Sequence, residues 1–126
     1  MATNSGALLS LTRVLDRLGS IDDERLKVVC PKLLPTVLPH LNTTDPKVRA
    51  QALAVLSHLS KRVRPNLEIP LPPWPMLRFA TDPSASAFTR NFGAAFLELA
   101  AGRLPSSAER GQLAAAALGT LVTVIE

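Results

Sequence analysis

Tyrosine is absent from this chain, tryptophan occurs once and phenylalanine four times. A core so short of aromatics has to be filled by Leu, Val and Ala, which suits packed helices better than a β-sandwich. Alternation of apolar and polar residues, the mark of a half-buried strand, is nearly absent too. Both absences point to an all-α fold. Cys30 is the single cysteine, which excludes an internal disulfide framework and fits a reducing compartment, cytoplasmic and also nuclear. The opening residues 1–11 carry no basic residue ahead of their short apolar run and make a poor secretory leader. The uncharged apolar stretch Leu113 to Ile125 is too short to span a bilayer, so no membrane insertion is expected.

What remains is apolar material in helical register. The 126 residues give room for about one ordinary domain, and 47% of them are hydrophobic, enough for a core. The formal charge is +4, but the fourteen Lys and Arg are dispersed and few aromatics are present to stack bases. Nucleic acid is therefore a poor partner for this chain.

Residues 1–7 read as a disordered leader, and 8–126 as helices. Leu8, Leu11, Leu15 and Leu18 step along one face, and Gly19 follows where a helix stops. A second helix opens near Asp22 and turns Leu26, Val29 and Cys30 inward. Pro31, Pro35 and Pro39 recur at intervals of four. Each removes a helical hydrogen bond, which predicts a break at Pro31 and a curved helix from there to Leu41. Asp45 is a good N-cap with Pro46 at the first helical position. Behind them Val48, Ala52, Val55, Leu56, Leu59 and Val63 form one apolar stripe. The stretch 65–75 holds five of the eleven prolines and reads as extended, with a short helical turn over 74–80. Phe88, Phe92, Phe96 and Leu99 then mark a helix ending near Gly102. Ser106 and Glu109 make a capping box for a last one carrying Leu113, Ala117, Leu121 and Ile125.

Thr44-Asp45-Pro46 returns 37 residues later as Thr81-Asp82-Pro83, and the same shift overlays Leu34-Pro35 on Leu71-Pro72. Helix, Asp-Pro turn and second helix at a period near 40 are the signature of an α-solenoid of HEAT-like antiparallel helix pairs, here about three. The last helix, uncharged from Leu113 to Ile125, lacks the polar outer face of a terminal repeat. The chain is therefore expected to be the N-terminal segment of something longer, or one side of an interface.

No catalytic constellation is present. The chain has no Gly-x-Ser-x-Gly elbow, no phosphate-cradling glycine loop and no His-Glu-x-x-His site. His40 and His58 have no cysteine pair to complete a zinc site, and Cys30, behind Val28-Val29, reads as a core thiol. Asp22, Asp23 and Glu24 suit the first turn of a helix without any cation to bind. No enzymatic activity, cofactor, metal or small-molecule substrate is expected. The basic group Lys47, Lys61, Arg62 and Arg64 has two readings: a solvated helix end favoured by the dipole, or a contact for an acidic protein surface. Leu71 and Trp74 in the proline-rich stretch either dock a partner or join two repeats. Asp45, Pro46, Arg49, Leu56, Phe92 and Phe96 read as structural, with Asp45 and Arg49 placed to pair at i and i+4.

The segments RLGSIDDERL, KLLPTVLPHL, KVRAQALAVLSHLSKRVR, IPLP and TRNFGAAFLELAAGRLP occur in an order that resembles the N-terminal region of the proteasome adapter and scaffold proteins. These are very large HEAT-repeat proteins, and the resemblance runs from about Leu8 to Ile125. It implies a non-enzymatic scaffold whose partner is the proteasome, serving its assembly, stability and tethering, with no catalytic residue to carry over. A HEAT- or armadillo-like adaptor for transport or trafficking is the alternative, and a small basic nucleic-acid-binding domain the third reading. The apolar stripes carry one direct expectation. Leu56→Asp and Phe92→Asp should each unfold the chain, read as loss of helical circular dichroism.

Overall fold

Four helices of this protein begin where a side-chain oxygen stands ready for the amide hydrogens that a first turn leaves unpartnered. Asp22 accepts from the Arg25 N–H and opens α2 (Asp23–Val37). Asp45 accepts from the Lys47 N–H ahead of Pro46 and opens α3 (Pro46–Val63). Ser86 accepts from the Thr89 N–H and opens α5 (Ala87–Gly102). Ser106 accepts from the Glu109 N–H before α6 (Ser107–Ile125). The remaining helices are α1 (Ala2–Leu18), which starts ahead of Leu8, and α4 (Pro73–Thr81). The computed structural model describes residues 2–104 and 106–125, with the backbone alone at 2–5 and 120–125. The side chains of Leu121 and Ile125, assigned above to the last stripe, lie outside the described residues. Among the described residues the fold is all-α, without strands.

The chain divides into two compact units, residues 1–69 and 70–126. In the first, α3 packs on α1, on α2 and on a 3₁₀ segment, Leu38–Asn42. Its stripe of Val48, Ala52, Val55, Leu56, Leu59 and Val63 is buried throughout. Among the described side chains Leu11 and Leu18 are the buried residues of α1, and Leu26, Cys30, Leu34 and Val37 those of α2.

The expected break at Pro31 does not occur. Helix α2 runs through both Pro31 and Pro35, and the backbone tightens only at Leu38, one residue before Pro39. An interior proline costs about 3 kcal/mol. Four buried apolar side chains, at about 1.5–3 kcal/mol each, match or outweigh two such losses. The third proline falls where the 3₁₀ segment begins and needs no α-helical donor.

The proline-rich stretch also differs from expectation. Residues 65–69 form hydrogen-bonded turns, with the Asn66 N–H donating to Val63 O and the Ile69 N–H to Asn66 O. Pro73 and Pro75 sit in the first turns of α4. Nor are the two Thr-Asp-Pro triplets equivalent. The first caps α3, whereas the Asp82 carboxylate accepts from the Ser84 N–H and hydroxyl in a turn that ends α4. Likewise Leu34-Pro35 lies inside α2, and Leu71-Pro72 precedes α4.

In the second unit α4 packs closely on α5, and α6 also touches α4. The buried face of α5 is Thr89, Gly93, Phe96 and Ala100, not the phenylalanine series. Phe88 is exposed, and Phe92 is half-buried with its ring 6.3 Å from that of Phe96. The reason is the approach of α4. A methyl group at Gly93 would stand 2.8 Å from the Ala80 nitrogen and 3.0 Å from Phe79 Cβ, so small residues must face that helix. Leu56 and Phe96 therefore mark the two cores better than Phe92. Gly93→Ala gains about 1 kcal/mol of helix propensity but forces α4 and α5 apart against about 1–3 kcal/mol of packing. The expected net result is a lower melting temperature in a thermal scan.

Candidate protein-interaction surface

The basic residues at the end of α3 do not form one patch. The helix rises about 1.5 Å per residue, which puts Lys47 about 25 Å from Arg64. Lys47 and Lys61 are exposed, and the Arg64 Nε donates to Ser60 Oγ at 2.9 Å. Arg62 turns into the first unit. Its guanidinium donates to the Leu18 carbonyl at 2.8 Å and to Asp23 Oδ1 at 2.7 Å. It thereby ties the end of α1 and the start of α2 to the end of α3.

The loop after α3 extends this network. Asn66 Nδ2 donates to the other Asp23 oxygen at 3.3 Å, and Lys27 Nζ reaches both Glu24 at 2.9 Å and Glu68 at 3.0 Å. The Arg62 hydrogen bond, helped by Asn66, holds the Asp23 carboxyl below its ordinary value. Hydrogen bonds to Glu24 and Glu68 raise the Lys27 ammonium above its own. In a polar, partly solvated network of this kind each pair contributes little alone, and its value lies in fixing geometry.

A surface that sequence reasoning missed lies between α1 and α2. A groove of about 260 Å³ is walled by Val14 and Leu18 of α1, Ile21 of the connection, and Val29 and Leu33 of α2. It shares Arg25, Val29 and Leu33 with a second hollow of about 350 Å³ that runs on to Lys32 and Thr36. Val28 stands beside it, 54% exposed. The signal was present in the sequence: α2 is apolar at Val28, Val29 and Leu33 as well as along Leu26, Cys30, Leu34 and Val37. A single buried face does not account for both sets.

In the second unit Leu71 is buried and Trp74 is 48% exposed. Trp74 borders a smaller hollow of about 190 Å³ with Pro73, Leu104, Glu109, Gln112 and Leu113. The structure thus separates the two residues that the sequence had offered together. Asp45 and Pro46 stand at the start of α3, and the Arg49 N–H donates to the Asp45 carbonyl at 3.0 Å. Among the described residues no group of His, Cys, Asp and Glu could hold a metal ion, and no helix is long and apolar enough to cross a membrane.

Comparison with known proteins gives a consistent result. The family described as proteasome component ECM29, N-terminal, matches residues 11–122. The human proteasome adapter and scaffold protein ECM29 is 37% identical over 99 residues, 78% of this chain and 5% of that protein. The Drosophila melanogaster proteasome-associated protein ECM29 homolog is 32% identical over 95 residues, 75% of this chain and again 5% of that protein. No solved structure matches. The chain thus spans about one-twentieth of the length of these relatives.

The Arg62–Asp23 contact makes a prediction about pH. A depressed carboxyl pKa means that Asp23 contributes its stability above the ordinary value of 3.8 and loses it as pH falls through the lower folded-state value. Wild type should melt above Asp23→Asn at neutral pH, and the gap should close as the buffer is taken below that ordinary value. Arg62→Met, which also frees the Leu18 carbonyl, should lower the melting temperature by about 5 °C.

Proposed function

This chain belongs to the family of N-terminal regions of proteasome component ECM29, and from that premise we propose that it is a non-enzymatic protein-interaction segment of a proteasome-associated adapter. The observation that carries the reading is the extent of the family match, residues 11–122, which takes in both compact units. The printed descriptions of the human and fly relatives name an adapter and scaffold and a proteasome-associated protein. The partner proposed for this chain is accordingly the proteasome, and the roles are stabilising and tethering it.

The arrangement proposed for the helices is HEAT-like. The close pair α4–α5 and the Asp-Pro opening of α3 support it. Stacked helix pairs would act by shape, holding partners at fixed distances along an extended face. The Cys30 thiol, buried and in no disulfide, suits a cytoplasmic or nuclear setting.

The test is a tagged pull-down from cell extract, read by mass spectrometry, with this chain and the full-length human relative as parallel baits. Proteasome subunits on both baits are expected if these residues hold a contact of their own. Subunits on the long bait alone would move the contact elsewhere in the scaffold. A transport or trafficking complex on the short bait, with no proteasome, would replace the reading by the adaptor alternative.

A further inference from the structure

The groove between α1 and α2 is more specific than an apolar gap. Every charged side chain that lines it is a cation: Arg17 on the α1 side, Arg25 and Lys32 on the α2 side. All three are exposed, and none makes an ion pair among the described residues. Of the nearby acids, Asp22 accepts from the Arg25 N–H, Asp23 is committed to Arg62 and Asn66, and Glu24 to Lys27, while Asp16 lines neither hollow. The floor is half-buried aliphatic surface: Val14, Ile21, Val29 and Leu33. From Arg25 to Thr36 the two hollows together follow twelve residues of α2, about 16 Å or three helical turns, with α1 lining the stretch as far as Leu33.

We propose that this groove receives an amphipathic helix of a protein partner, with an apolar face of about three turns and flanking Glu or Asp. Apolar side chains one turn apart would seat on Val29 and Leu33, and the acids would meet Arg17, Arg25 and Lys32. Helix-in-groove recognition divides the work in this way, with apolar anchors supplying affinity and rim charges setting orientation and rate. An anionic membrane fits less well. Its contact needs a set of projecting apolar groups, and here Val28 alone projects while Val14, Ile21, Val29 and Leu33 are half-buried. Nucleic acid fits less well again, since no aromatic lines the trough for a base to stack on. The proposal goes beyond the proteasome reading, because floor and rim belong to this chain whichever assembly it joins.

The probe is a fluorescein-labelled synthetic helix of fourteen residues, with Leu at i, i+4 and i+7 and Glu on both flanks. It is titrated against the full 126-residue chain by anisotropy and by amide shift mapping. A control peptide carries Lys in place of every Glu. Binding of the acidic peptide is expected, weakening with salt, with shifts centred on Val14, Ile21, Val29 and Leu33. The double variant Arg25→Glu/Lys32→Glu changes exposed residues only, so it should stay folded. It should bind at least tenfold more weakly and come to prefer the Lys peptide.

Absence of binding, equal binding of both peptides, or shifts confined to other helices would overturn the proposal. Two other occupants are distinguishable with the same double variant. Dimerisation in sedimentation that the variant abolishes would assign the groove to a second copy of the chain. Capture by phosphatidylserine vesicles, lost in the variant and stronger than the peptide, would assign it to a membrane. Either outcome overturns the proposal, whatever the pull-down shows.

Discussion

Burial of the α3 stripe is the constraint on which the first unit depends. Six apolar side chains from Val48 to Val63 leave water together, and α1, α2 and the 3₁₀ segment settle around them. That packing keeps α2 helical through two prolines that would interrupt an isolated peptide. It also places Arg62, at the solvent edge of the same helix, within reach of the Leu18 carbonyl and the Asp23 carboxylate. With α1 and α2 both held to α3, the space between them stays open as a groove.

The charged residues divide into two kinds of work. Arg62, Asp23, Asn66, Lys27 and Glu68 are turned on one another and fix where the helix ends and the following loop lie. Arg17, Arg25 and Lys32 have no such partners and rim the apolar groove. A formal charge of +4 conceals this division. Family membership underlies the proposed partner, while the unengaged cations underlie the proposed place of recognition.

Much of the fold could be read from local pattern. The α3 stripe is legible because a helix of eighteen residues repeats its apolar face five times at the proper period, and its Asp-Pro start has a direct physical meaning. What escaped reading depends on separation along the chain. Arg62 looks like an ordinary dipole-favoured cation until folding brings Asp23 to it from 39 residues away. Gly93 looks incidental until Ala80 of a neighbouring helix lies against it, and then it decides which side of α5 turns inward. The phenylalanine series misled because bulk suggests burial, whereas a close helix crossing selects small residues. The groove was hidden for a related reason: its walls come from two helices, and neither shows it alone.

The prolines of α2 have a consequence for the order in which the chain acquires its shape during synthesis. Pro31 and Pro35 remove two rungs from the middle of a fifteen-residue helix, leaving that helix with too little local cohesion to persist unaided. Its stability comes from α3, whose last turn is made about 25 residues after α2 has ended. On the ribosome the α2 segment therefore emerges as unstructured chain and stays so until Val63 has cleared the exit tunnel. The groove on its far side comes into being at that moment too, so a nascent chain presents none before its first unit is complete.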